Sequence, residues 1–333
     1  VEQGPVLPSV TEDPLVGLQW DMDMIHAPEA RAVLAGSPNV RVGVVDTGID
    51  GNHLDFMTNG RSNVDCLAGA DFTAEGPGVG IPAACVDNNF HGTHVAGTIA
   101  ARENGHGVVG IAPNTTLVPI KVCDADGHCY FSDVIEGITY AGDLALDVIN
   151  MSFFVDDNEF QQSTEFKCKS DAQQFAFRKA VQRAIKYARK QGVTPIAALG
   201  NSDTNLADPN ETGGKNCKTV PAQAAGVIGT VALGPDSEKS WYSSWGKGSA
   251  DVSAPGGCLA CTCSGCSARR GWRERTSPVR AVVRATARHR VAPCVSSGWP
   301  SRHRSLRDRP SVHTQRHHAF GLVLEQLVEV ANT

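Results

Sequence analysis

The sequence predicts an α/β fold, a doubly wound and mostly parallel sheet with helices on both faces. Three observations predict it. Apolar runs of strand length recur at 41–45, 116–122, 147–151, 193–199 and 227–232, and runs this short and continuous suit strands buried on both sides. Helical stretches lie between them, notably 131–141 and 171–191, besides one that opens at His91. Strands that alternate with helices at this spacing are joined by crossovers, which set the strands parallel and cover both faces. No internal repeat is seen.

At 333 residues and 41% hydrophobic content the chain can bury a proper core, as one large domain or two ordinary ones. No run of about 18 apolar residues occurs, so no membrane-spanning helix is expected. The sequence opens at Val1 without an initiator Met, a basic start or an apolar core. Any targeting segment is therefore expected to have been removed or left out. The net charge of −5 conceals a split: 31 acidic against 17 basic residues up to Gly257, then 4 against 13 from Cys258 onward.

In chain order, residues 1–18 carry Pro5, Pro8 and Pro14 without a hydrophobic period and read as an irregular arm. Residues 19–34 read as a mainly helical lead-in, with Pro28 a break or restart. The first strand runs into Asp46-Thr47-Gly48-Ile49-Asp50. That places the Asp46 carboxylate at the carboxyl end of a strand, where open α/β sheets bind ligands; alone it is equally a turn-capping aspartate. In the stretch 89–100, Val95, Ile99 and the small residues between them build a helix that can pass close to a sheet. His91 falls on its first turn, placed to move protons near neutral pH, although a lone histidine is more often structural. The fourth apolar run ends in Ala198-Leu199-Gly200-Asn201-Ser202. Gly200 permits a tight bend, and Asn201 either offers an amide to the same crevice or forms an Asx turn.

A carboxylate, an imidazole and an amide, in the order Asp46, His91, Asn201, are the groups that orient the base, move the proton and stabilise the oxyanion in acyl transfer to a serine. The strings V-V-D-T-G-I-D, H-G-T-H-V-A-G-T-I-A, V-I-N-M-S and A-L-G-N, in this order, resemble the subtilisin-like serine proteases, or subtilases, over about residues 19–257. The resemblance implies that Asp46 holds the imidazole, that His91 is general base and acid, and that Asn201 is the oxyanion donor. It implies one wall of the primary specificity pocket at Ser152, Phe153 and Phe154 and the other at Ala198, Leu199 and Gly200. It also implies that Asp126, Gly127 and His128 form an edge that pairs with an extended substrate. Phe153-Phe154 departs from the small Leu-Gly pattern common in relatives. In some subtilases the loop after the histidine helix holds calcium. The segment 102–108 has that length, and Asp55 and Asn104 supply two hard oxygens, as an ordinary solvated turn also would. No other cofactor is implied.

Six cysteines fall in this part: Cys66, Cys85, Cys123, Cys129, Cys168 and Cys217. An even number without a C-x-x-C pair points to disulfides, an oxidising compartment and hence a secreted protein. The expected pairs are Cys66 with Cys85, Cys123 with Cys129 and Cys168 with Cys217. Sequence does not fix the connectivity, and buried free thiols are the other reading.

After Ser253-Ala254-Pro255-Gly256-Gly257 a subtilase would show G-T-S-M-A, carrying the nucleophile, and then P-H-V-A-G; neither string occurs. Ser264, Ser267 and Ser277 lack that setting. Residues 258–333 hold no Lys, Ile, Met or Tyr and are crowded with Arg, Ser, Ala, Val and Cys, the bias of a GC-rich gene translated out of frame. Read one nucleotide earlier, Ala268-Arg269-Arg270 can encode Gly-Thr-Ser, Trp272-Arg273 can encode Met-Ala, and residues 276–279 can encode His-Val-Ala-Gly, with one extra residue before Met. A metal site at Cys258, Cys261, Cys263 and Cys266 lacks the usual flanking turns. A nucleic-acid-binding tail lacks interleaved aromatics.

The expectation is a secreted serine endopeptidase of the subtilase type, a monomer acting on a protein or peptide substrate, with no nucleic acid, no membrane and no required cofactor. It is expected to be inactive as written, because its nucleophile is missing, and to end in an irregular tail over 258–333. The alternative is a non-catalytic relative that binds peptides, against which the joint presence of Asp46, His91 and Asn201 weighs.

Overall fold

The computed structural model describes residues 13–76, 78–79, 82–156 and 165–257; the readings on 1–12 and on the tail 258–333 lie outside the described residues. Two short helices, α1 (Trp20–Met24) and α2 (Ala27–Val33), make up the lead-in, and Pro28 sits in the first turn of α2, as a restart requires. Strand β1 (Arg41–Asp46) follows, then the small ladder of β2 (Met57–Thr58) with β3 (Arg61–Ser62), then β4 (Ala70–Asp71) and β5 (Gly78–Val79). Helix α3 (His91–Ala100), β6 (Thr116–Lys121), α4 (Phe131–Asp143) and β7 (Val148–Met151) come next. The chain continues through β8 (Phe166–Cys168), α5 (Ala172–Lys190), β9 (Thr194–Ala198), β10 (Cys217–Thr219), β11 (Ile228–Leu233) and β12 (Val252–Pro255).

Eight strands form the main sheet in the order β12-β11-β9-β7-β1-β6-β4-β5, and every neighbouring pair is parallel except β4 with β5. The expected doubly wound architecture is therefore the one observed. Alternation along β1 explains its two layers. Val42 and Val44 face a core with Met22, Ala27, Val95 and Ile99 from α1, α2 and α3. Val45 faces the opposite core, with Val134 and Ile138 of α4 and Val181 and Ile185 of α5. All of these side chains are at most 5% exposed, and each Val, Ile and Met among them contributes about 1.5–3 kcal/mol by leaving water.

Helix α5 begins at Asp171, whose carboxylate accepts the N–H groups of Gln173 and Gln174 at 2.9 Å each, and carries Arg189 and Lys190 in its last turn. Both ends thus complement the helix dipole. The structure joins Cys66 to Cys85, Cys123 to Cys129 and Cys168 to Cys217, as expected. The third bond ties β8 to β10, an antiparallel pair beside α5 that the sequence reading did not include. The described part of the arm, residues 13–18, includes a 3-10 turn at Val16–Leu18 rather than being irregular throughout. No helix among the described residues is long and apolar enough to cross a membrane.

Candidate active site

Parallel strands bring their carboxyl ends to one edge, so β1, β7 and β9 deliver Asp46, Ser152 and the 199–201 turn to the same side of the sheet. Asp46 closes β1 and is 1% exposed; His91 opens α3. His91 Nδ1 lies 2.7 Å from Asp46 Oδ1, and Asp46 Oδ1 also accepts the Thr47 N–H at 2.7 Å. A carboxylate only accepts, so the proton sits on Nδ1 and Nε2 carries the lone pair. Burial by itself would lower the His91 pKa and is the largest single influence. The Asp46 charge and hydrogen bond, with a further contribution from Asp87, outweigh it and raise the pKa above its ordinary value.

The first turn of α3 is held from an unexpected place. Phe90, the cap position, is left-handed (φ 74°) and its side chain makes no capping bond. Asp87 does the work instead: Oδ1 accepts from the Asn89 and Phe90 N–H groups at 3.1 and 2.9 Å, and Oδ2 accepts from Thr93 N and Oγ1 at 2.9 and 2.6 Å. Gly92 is required by close approach, since a Cβ there would lie 2.1 Å from the Gly48 carbonyl oxygen. Asp87 and Thr47 were not picked out from the sequence. The signal for Asp87 was an acid just ahead of the helix start.

Asn201 is half-buried beyond β9, and its Oδ1 is buried without a hydrogen-bond partner. Gly200 has φ 112° and its carbonyl accepts from Ser244 N at 2.9 Å; Ala198 and Leu199 are buried. Ser152 is buried and accepts from Asn150 Nδ2 at 3.0 Å, while Phe153 packs against the α4–α5 core and Phe154 is half-buried. Gly127 and His128 lie in a tight turn closed by the Cys123–Cys129 bond, where Gly127 N donates to Asp124 O at 3.0 Å and His128 N to Asp124 Oδ1 at 2.8 Å. Asn89, two residues before His91, anchors this turn by donating from Nδ2 to Ala125 O at 2.9 Å.

Glu165, also overlooked in the sequence, reaches both neighbours of Asn201. Its Oε2 accepts from the Ser202 hydroxyl at 2.6 Å, and its unpartnered Oε1 lies 2.8 Å from where a Cβ on Gly200 would stand. Burial raises its pKa, against the Ser202 bond and the charge of Lys167.

Asp55 and Asn104 meet at one loop. Asp55 Oδ2 accepts from Val108 N at 3.3 Å, and Asn104 Nδ2 donates to the Leu54 and Met57 carbonyls at 2.9 and 2.8 Å. Asp13 enters the same loop, its Oδ1 accepting from Asn104 N, Gly105 N and His106 N at 3.1–3.2 Å and its Oδ2 buried without a partner. Among the described residues no group of three or more His, Cys, Asp or Glu is placed to hold a metal.

Known proteins place this geometry in context. The model of the Subtilase family matches residues 37–290. Subtilisin DY from Bacillus licheniformis is 32% identical over 71% of this chain and 72% of its own length. Subtilisin BL from Lederbergia lenta is 30% identical over 71% of each. Among solved structures, the epidermin leader peptide processing serine protease EpiP from Staphylococcus aureus superposes with a TM-score of 0.59 at 26% identity, covering 73% of this chain and 58% of that one. The nisin leader peptidase NisP from Lactococcus lactis gives 0.58 at 24% identity, over 74% and 70%, a likeness of fold. A strand-end carboxylate bonded to a helix-start histidine, on this sheet and with these relatives, has one family to go to: the chain belongs to the subtilases, a family of serine-type peptidases.

Proposed function

We propose that this chain carries the proton-handling half of a serine endopeptidase, with Asp46 orienting His91, His91 as general base and acid, and Asn201 as oxyanion donor. The observation that carries the reading is the 2.7 Å bond between His91 Nδ1 and Asp46 Oδ1 at the carboxyl edge of the sheet. It fixes the tautomer that leaves Nε2 to take a serine proton and later return it to the leaving amine. Asn201, whose Oδ1 accepts no hydrogen bond among the described residues, is suited to turn its amide N–H groups toward a developing oxyanion. The walls for an extended peptide would be Ser152, Phe153 and Phe154 on one side and Ala198, Leu199 and Gly200 on the other, with the turn at Gly127 and His128 as the edge.

The nucleophile is the missing member. No G-T-S-M-A string follows Gly257 in the sequence, and the composition of 258–333 supports an out-of-frame origin for that segment. Losing the serine costs about a million-fold in turnover in subtilisin, so the chain as written is inactive. The disulfides support an extracellular setting, and the substrate is a protein or peptide met by a single copy of the chain, without nucleic acid or membrane. A structural calcium would be held by Asp55, Asn104 and Asp13, the last supplying an orphaned hard oxygen.

A fluorophosphonate probe tests the reading. No labelling of the chain is expected, and labelling is expected once the segment after Gly257 is restored to the alternative frame. Labelling of the chain as written would overturn the inactivity, and a restored chain that stays unlabelled would overturn the assignment of Asp46 and His91.

A further inference from the structure

We propose that the cavity between α5 and the turns at 222–227 and 247–251 is a binding site for an oligoanion carrying phosphate or sulfate groups. The cavity measures about 860 Å³, and Arg178, Lys179, Arg183, Lys218 and Lys247 line it from three separate stretches of chain. None of the residues around Asp46 and His91 borders it. Asp251 is the sole acid in the lining, and its Oδ2 already accepts from Gly229 N at 2.9 Å.

This concentration runs against the rest of the domain. Up to Gly257 acids outnumber bases 31 to 17, yet α5 carries six cations and no acid. Three cations crowd one ring: Lys179 Nζ, Lys169 Nζ and Arg178 Cζ lie 5.1, 5.6 and 5.9 Å from the Phe175 centroid. Attraction to the ring offsets only part of the repulsion among them. Lys179, Arg183, Lys218 and Lys247 form no ion pair among the described residues. The cavity floor is fixed by the paired bonds of Gln182 with Ala225 (3.0 and 2.6 Å) and by Gln223 Nε2 donating to Ser249 Oγ at 2.8 Å. A rigid, concave and uncompensated cluster of cations focuses a positive potential on one place.

Charge density selects the ligand class. From Arg178 to Arg183 the helix rises only about 8 Å. An extended acidic peptide shows one carboxylate per roughly 7 Å on a given face, because its side chains alternate. A chain of phosphates, or a sulfated sugar, packs several charges into that span and offers guanidinium groups two-pronged acceptors.

The test is calorimetric titration of the full chain at low and moderate salt with tripolyphosphate and with a heparin tetrasaccharide, alongside oligoglutamate and a single-stranded oligonucleotide. Comparison is made with K179Q/R183Q/K247Q and with K186Q/R189Q/K190Q, whose side chains lie outside the cavity. Binding of tripolyphosphate or of heparin is expected, the tighter of the two naming the source, with at least a tenfold loss in the first variant and less than threefold in the second. Equal losses in both variants, or no loss in the first, would assign binding to general charge or to the Arg-rich tail and sink the proposal. So would absence of binding by both ligands, or oligoglutamate or the oligonucleotide binding as tightly. All six substituted side chains are exposed, and a retained denaturation midpoint shows that both variants fold.

Discussion

The Thr47 hydroxyl donates to Asp87 Oδ1 at 2.9 Å and accepts the Gly92 N–H at 2.9 Å. One buried side chain therefore ties the residue after Asp46 to the residue after His91. The 2.7 Å bond between that acid and that histidine is held from behind, by buried groups.

Replacing Asp87 by Ala removes the acceptor for Thr47 and for the backbone ahead of α3. A loss of about 2–3 kcal/mol in folding stability is expected, because several donors lose a charged partner in a buried place. Urea denaturation checks it, and D87N, which keeps an acceptor, should fall between.

His91 should titrate above 6.5, the ordinary value, because Asp46 and Asp87 outweigh burial. In D46N burial prevails and the ring should titrate below that value, as followed by the imidazole proton signals in NMR. The folded state holds this proton more tightly than the unfolded chain does. The stabilisation is therefore complete below the unfolded pKa and is lost as pH rises through the folded one. Denaturation midpoints of the native chain and D46N should thus converge as the solution is made more alkaline through that window.

The three disulfides should differ in worth by the length of chain they close. Cys168–Cys217 spans 49 residues and Cys123–Cys129 spans 6. The chain-entropy relation gives about 4 kcal/mol for the first and about 2 for the second. Paired Cys-to-Ser variants compared by chemical denaturation should show that order.

If Asp13, Asp55 and Asn104 take calcium, millimolar CaCl2 should raise the melting temperature and a chelator should lower it. An unchanged melting temperature, with no calcium retained on dialysis, would remove the ion from the proposal.

What the sequence disclosed, and what it did not, follows from the range of the forces involved. Asp46 and His91, 45 residues apart, were legible because each sits at the boundary of a strongly periodic element, and parallel crossovers bring such boundaries together. Strands β8, β10 and β12 have three or four residues each, too few for a period to show. Asp87 acts through the left-handed turn at Phe90, a backbone state that Phe rarely adopts and that no local propensity announces. Glu165 reads as one more surface acid until the chain folds it against Gly200. The cations around Phe175 are visible in α5, but their meeting with Lys218 and Lys247 is a product of tertiary structure alone.

Strand β12 is the last of the main sheet, and among the described residues no strand pairs with its outer side. Backbone donors and acceptors along such a rim are a template on which another extended chain can grow. Only Val252 and Ser253 of that rim are half-buried, while Ala254 and Pro255 are buried, so any added strand would find its footing on two residues at a margin, far from any chemistry.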